Sequence, residues 1–360
     1  MSTLNVGSVN GSISLPAYTT ANLPAGKPVG TLVWDSTALL VKVWNGNEWT
    51  PMSGIAASGG LITQGNGVTI HTFTTSDTLT LPQGKANVSV LVVGGGGAGG
   101  GRGGNDGSGG GGAGALLYRT GLTLASGNYT VDVGGGGAGV GPATRGGDGN
   151  PSSIIAQGTG INYGQAAGGG GGGTEGPIRP GKDGGCGGGA GGYGNGNIQG
   201  NATGDSGGTD NAISPVNGWG NPGGFNVVGT PYNFGGGGGG GAGSPGMPGK
   251  NTVPVPTQYD MSPGNGNGGN GLQFSIGGSA QYYAGGGGCG GNAHGPVDNP
   301  GSYGGRGGGG NGQGNALGEG SAGSANTGGG GGGAQGTNSP RPNIDSWPGG
   351  SGIVIVTYPT

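Results

Sequence analysis

Charge is scarce in this chain. Only 7% of its 360 residues are Asp, Glu, Lys or Arg, and the formal net charge is −3. A chain with so little charge is not held open by repulsion, as many disordered segments are. It also lacks the basic patch of a nucleic-acid binder. Arg-Gly-Gly begins at Arg102, Arg145 and Arg306, which chance explains in a sequence so rich in glycine. Histidine and cysteine are almost absent. His71 and His294 lie far apart, and Cys186 and Cys289 are each embedded in glycine. Two cysteines make no disulfide framework; they are either buried free thiols or one cross-link between two glycine segments. No Cys/His metal spacing occurs, and the sequence shows no nucleophile–base arrangement. His71 stands in an alternating segment and reads as a sheet residue. We therefore expect no enzyme, no metal site and no cofactor.

Other absences narrow the reading further. No apolar stretch approaches the ~20 residues that span a bilayer. Met1-Ser-Thr-Leu-Asn has neither a basic n-region nor an apolar h-region. The expectation is synthesis in a cytoplasm, no export by the usual route and no membrane insertion. No Gly-Lys-Ser/Thr follows a glycine run, so the runs are not phosphate loops. Gly147-Asp148-Gly149-Asn150 and Asn105-Asp106-Gly107 are not tandem calcium-binding nonapeptides and read as plain turns. Glycine does not recur at every third position as in collagen.

What the chain has is glycine, 112 residues of it, with runs at Gly94–Gly97, Gly168–Gly173, Gly235–Gly241, Gly285–Gly288, Gly307–Gly310 and Gly328–Gly333. Ordering each residue costs roughly 1–2 kcal/mol, and glycine gives no side chain in return. The runs are either disordered or packed backbone against backbone. Apolar segments Val88–Val93 and Ile353–Tyr358 bracket them, which favours order. Extended polyglycine can form a threefold helix with ~3.1 Å rise and no internal hydrogen bonds. In a bundle, neighbouring helices would pair every N–H and C=O. Ala98, Ala138, Ala190, Ala242 and Cys289, lying inside runs, would then mark perimeter positions.

The predicted fold class is all-β: a small antiparallel β-sandwich joined to a bundle of polyglycine II helices, with no α-helix. Residues 1–53 form a small β-module for attachment or oligomerisation, with strands at Gly30–Asp35, Leu39–Trp44 and Glu48–Met52 and a hairpin turn at Asn45-Gly46. Residues 54–67 are a linker. Residues 68–360 are a glycine-rich domain: a sandwich over 68–163 plus 351–358, and a bundle with variable loops over 164–350. A structureless connection as long as 164–350 would be anomalous in a compact domain.

One set of motifs resembles a known family. Val90-Leu-Val-Val-Gly-Gly-Gly-Gly-Ala-Gly is followed by Gly112-Ala-Gly-Ala-Leu, Tyr129-Thr-Val-Asp-Val-Gly-Gly-Gly-Gly and Gly146-Gly-Asp-Gly-Asn-Pro-Ser-Ser-Ile. Ala284-Gly-Gly-Gly-Gly, Asn326-Thr-Gly-Gly-Gly-Gly-Gly-Gly and Gly349-Gly-Ser-Gly-Ile-Val-Ile-Val-Thr-Tyr complete the order. Over about 68–358 the chain resembles the glycine-rich domain of bacteriophage tail-fibre and virion proteins. It is also similar to the distal adhesins of T-even-type phages. Residues 28–52 more weakly resemble small β-modules of phage tail fibres. The resemblance implies a virion (tail) location and a role near host recognition. Other tail or fibre proteins would bind the N-terminal module. A bacterial surface glycan or outer-membrane protein would be the receptor. It allows a homotrimer, although no coiled-coil heptads are present. It carries over no catalytic residue.

The segments between runs place aromatics beside amides, a combination suited to sugar or protein-loop recognition. Receptor-contact candidates are Trp219, Phe225, Tyr232, Phe234, Tyr259, Tyr282, Tyr283, Tyr303 and Trp347. The competing role for each is to cap the polyglycine core against water. The competing role for the protein is a purely structural fibre subunit, spacer or cap.

Overall fold

The structure is a computed structural model. It describes residues 15–37, 40–51, 56–65, 67–104, 106–175, 180–192, 199–229, 233–249, 266–291, 301–314, 319–336 and 346–360. The chain divides into two compact units, Met1–Ala57 and Ser58–Thr360. Among the described residues, helix is confined to one 3₁₀ turn, Thr20–Asn22. The protein is all-β, as its sequence predicts.

The first unit is a four-stranded sheet of β1 (Ala17–Tyr18), β2 (Leu32–Asp35), β3 (Leu40–Trp44) and β4 (Trp49–Pro51), in that order. β1 runs parallel to β2, and the other pairs are antiparallel. Asn45 makes the β3–β4 turn, its Oδ1 accepting from the N–H groups of Asn47 and Glu48. Trp44 is buried and meets Trp49 edge-on at 5.4 Å. A polar pin completes this small core. Asp35 is fully buried; it accepts from Thr20 and the Thr37 N–H, and pairs with Lys42 Nζ at 2.8 Å.

The second unit has two larger sheets, both antiparallel. One contains β5 (Leu61–Gly65), β6 (Val68–Phe73), β8 (Lys85–Val93), β9 (Leu116–Leu124) and β17 (Ile353–Pro359), ordered β5-β6-β17-β8-β9. The other is ordered β12-β11-β10-β7, from β7 (Asp77–Leu81), β10 (Gly127–Asp132), β11 (Ser152–Ala156) and β12 (Asn162–Ala166). β11 and β12 pack against β8, β9 and β17. Hairpins β13–β14 (Val227–Gly229, Asn233–Gly235) and β15–β16 (Leu272–Phe274, Gln281–Tyr283) complete the strands. The five-stranded sheet is covered on its second face as well. Leu91, Val93, Ile353 and Ile355 join Leu272, Phe274 and Tyr283 in one buried cluster. Burial on both faces explains why β8 and β17 read as continuous apolar runs rather than alternating ones.

Two sequence boundaries move. Residues 54–67, read as a linker, contain β5, an edge strand whose side chains are exposed throughout. The glycine bundle begins well before residue 164. The runs 94–101 and 107–115 join β8 to β9, and 134–139 and 144–150 join β10 to β11. Sheet and bundle interleave along the chain because several runs, such as those at 94, 115, 134, 150 and 167, continue directly out of a strand or back into one.

The bundle is held by main-chain bonds between runs. Gly94, Gly97 and Gly100 donate to Ala115, Gly112 and Gly109. Gly95, Ala98 and Gly101 donate to Asn150, Gly147 and Thr144, and Gly96 and Gly99 to Gly350 and Trp347. The partner changes residue by residue and returns every third residue, the repeat of a threefold helix. The carbonyls of the same run accept from three further runs: Gly95 and Ala98 from Gly169 and Gly172, Gly96 from Gly137, and Gly97 and Gly100 from Gly331 and Ala334. Each such bond contributes about 1 kcal/mol net. The run 107–115 repeats the scheme. It donates to 328–334, 167–173 and 237–240, and accepts from 94–100, 186–189 and 287–290.

Only glycine permits this spacing. A Cβ on Gly239 or on Gly330 would fall on the carbonyl oxygen of Gly111. The alanine expectation is corrected in part. Ala138 is exposed, but Ala98, Ala190, Ala242 and Cys289 are buried. A methyl or thiol group inside a run thus need not face water. Ala242 packs into the apolar cluster beneath the five-stranded sheet, and Cys289 lies 3.2 Å from Ser302 Oγ.

Candidate functional site

The runs alternate in direction between two ends of the second unit. At the sheet end they leave and enter strands or turn directly into the next run, as at Gly243-Ser244 and Gly307. At the far end lie the described connections 102–104 and 140–143 and the described run ends 175 and 180, 192 and 199, 229 and 233, 249 and 266, 291 and 301, 314 and 319, and 336 and 346. The assignment follows from bond order. The bonds Ser108→Ala334, Gly111→Gly331 and Gly114→Gly328 make 328–336 antiparallel to 107–115, so residue 336 lies far from the sheets. Gly110→Gly237 and Ala113→Gly240 make 235–242 parallel to 107–115, so residue 235 starts at the far end.

This geometry divides the aromatic candidates. Trp219, Tyr282 and Tyr283 lie at the sheet end. Trp219 exchanges main-chain bonds with Leu116 and packs against the apolar cluster that contains Tyr283. Tyr283 is only 5% exposed, too little to meet a partner. These two cap the core. Tyr282 is half-buried, and the Arg306 guanidinium lies 5.8 Å from its ring centre. Phe225, Tyr303 and Trp347 lie in runs toward the far end. Phe225 is exposed; Tyr303 and Trp347 are half-buried. For Phe234 the backbone of β14 at the far end is described and the side chain is not. Tyr232 and Tyr259 lie outside the described residues. Of the described candidates, the structure brings together Trp219 and Tyr283 in one cluster.

A glycine-rich domain family matches residues 71–359. The chain belongs to that family. No curated protein matches it. The matched region covers the second unit from within β6 onward, leaving β5 and the first unit outside.

Several titratable groups of the glycine-rich domain take part in its packing. His71 is buried between the Gly59 carbonyl and the Tyr358 hydroxyl. Asp148 accepts from the Gly171 N–H and pairs with Lys182 at 3.3 Å. Asp106 is buried near Glu175, and burial first, then that neighbouring charge, pushes its carboxyl up to about 7. Cys186 and Cys289 are free thiols. Among the described residues, no group of three His, Cys, Asp or Glu side chains is placed to hold a metal ion.

One concavity was not legible in sequence. A cavity of about 610 Å³ opens at the sheet end, between the edge strands β9 and β12 and the segment 203–217. Leu117 and Gly164 are its buried members; Arg119, Leu122 and Tyr163 are half-buried; Asn162, Gln165, Thr203 and Asn217 are exposed. Gly164 lets the two strands close, since a Cβ there would press on Leu117 and Val92 at 3.0 Å. These residues come from distant parts of the chain, so no local motif announces them.

Proposed function

We propose that this protein is a tail-fibre or adhesin-like virion protein of a bacteriophage. Its glycine bundle presents the connecting segments to a bacterial surface. The observation that carries the reading is the segregation of connections. The described run ends 249 and 266, 291 and 301, and 336 and 346 all lie at the end remote from the sheets, and the sequences between them are rich in Asn and Pro and include Tyr259. A body fixed by main-chain bonds holds their anchor points at set positions whatever sequence lies between them. Sequence change there costs the body nothing, as suits a surface that must follow a changing receptor. The receptor would be a surface glycan or an outer-membrane protein. The first unit would attach to other tail or fibre proteins, with homotrimerisation as one route.

The test is adsorption of the purified chain to bacterial cells, intact and stripped of surface polysaccharide. Phe225→Ala with Tyr303→Ala is expected to weaken adsorption at unchanged Tm. Trp219→Ala is expected to lower Tm, because it removes a core contact. A second reading, a structural spacer or cap without a receptor, draws on the core positions of Trp219 and Tyr283. Unaltered adsorption by the first variant, or no adsorption by the parent chain, decides for it.

A further inference from the structure

The cavity between β9 and β12 lies at the end opposite the proposed receptor-facing segments. We propose that it is a binding site for a carboxylate-bearing saccharide. Three observations converge there. Its volume, about 610 Å³, falls within the ~300–1,000 Å³ of small-ligand pockets. Its buried wall is apolar, from Leu117 and Gly164, and the half-buried Tyr163 ring stands beside it, edge-on to Tyr129 at 5.6 Å. Its rim mixes the exposed Pro151 and Val216 with polar side chains and is nearly uncharged, with Arg119 the sole ionic residue of the lining.

Arg119 sets the ligand class. Its guanidinium has no ion pair or hydrogen bond among the described residues. In a chain with so few cations, a half-buried arginine left unpaired in a cavity has its donors available for a guest. A guanidinium binds a carboxylate through paired charge-assisted bonds. Sugar hydroxyls need groups that both donate and accept, and the side-chain amides of Asn162, Gln165 and Asn217 provide them. Asn162 Nδ2 lies 3.4 Å from Gln165 Oε1, so these two amides lie side by side. The tyrosine ring supplies the apolar face on which a pyranose can rest. An acidic peptide such as polyglutamate would use Arg119 and pair its backbone with the amides, but it brings no apolar pyranose face to the tyrosine ring.

Calorimetric titration of the full chain tests this with three probes. They are a tetrasaccharide of alternating glucuronate and N-acetylglucosamine, its carboxyl-reduced form, and tetraglutamate. The glucuronate probe is expected to bind, and the reduced form and tetraglutamate at least about tenfold more weakly, a difference near 1.4 kcal/mol. Arg119→Gln is expected to weaken the glucuronate probe by a similar factor and to leave Tm unchanged. Should that variant fail to fold, Asn217→Ala at the exposed rim is expected to weaken the same probe several-fold. Absence of binding by the glucuronate probe overturns the proposal. Equal binding of tetraglutamate, equal binding of the reduced form, or unchanged affinity in the folded variants overturns it too. Adsorption to cells through the far end is read separately, so either result stands without the other.

Discussion

His71 Nε2 lies 2.8 Å from the hydroxyl oxygen of Tyr358, joining β6 near the start of the second unit to β17 at its end. Nδ1 lies 2.8 Å from the Gly59 carbonyl. A carbonyl only accepts, so Nδ1 carries the proton and neutral Nε2 accepts from the tyrosine. Burial is the main cause that lowers the His71 pKa; the Gly59 bond raises it, and the charge of Lys85 lowers it further.

This arrangement gives a signed pH dependence. The folded state holds His71 neutral below the pH at which the unfolded chain protonates it. Its stabilising contribution is complete above the unfolded value of 6.5 and is lost as pH falls below it. Asp106 acts with the opposite sign. Its raised carboxyl pKa favours the fold at low pH, and that contribution fades as pH rises toward about 7. The measurement is therefore a difference, Tm of the parent minus Tm of His71→Gln from pH 8 to pH 5. The difference is expected to be constant above pH 7 and to shrink below 6.5. A constant difference across the range would refute the assignment.

Two glycines predict opposite outcomes for one substitution. A Cβ on Gly238 would fall on the Asn267 carbonyl oxygen, whereas at Gly135 it would meet only Asn150 Nδ2 at 3.7 Å. Gly238→Ala is expected to lower Tm by several degrees or more, and Gly238→Val to prevent folding. Gly135→Ala is expected to be neutral or to stabilise by about 0.4–1 kcal/mol, through the reduced freedom of the unfolded chain. Thermal melts of the variants decide it.

The cysteines are expected to be chemically silent in the fold. Burial pushes the Cys186 thiol up to about 12 and the Cys289 thiol up to about 11. With little thiolate and no access, neither should react with a disulfide reagent at pH 8. Both should react after denaturation, releasing two equivalents. Prompt reaction of the native protein would show that the bundle opens.

The strands that carry apolar side chains could be read from sequence, since Val88–Val93, Val68–Phe73 and Ile353–Tyr358 show burial on one or both faces. β5 escaped because Leu61-Ile-Thr-Gln-Gly is an exposed edge whose side chains report no interior. β12 escaped because its packing rests on what Gly164 lacks. That the glycine runs pack could be argued from backbone satisfaction, but which runs are neighbours could not. Glycine has no side chain with which to encode a partner, so the order is set by the strands and turns at the ends. For the same reason the sequence could nominate aromatics but not sort Trp219 into the core and Phe225 to the surface.

The alternation of run direction imposes a rule on how such a protein can lengthen or shorten. β17 must return to the sheet end to lie between β6 and β8. A single added run would deliver it to the opposite end. Insertions and deletions in the bundle must therefore come as an outgoing run, its far-end connection and a returning run. Parity, rather than residue number, is the quantity that descendants of this chain would have to preserve.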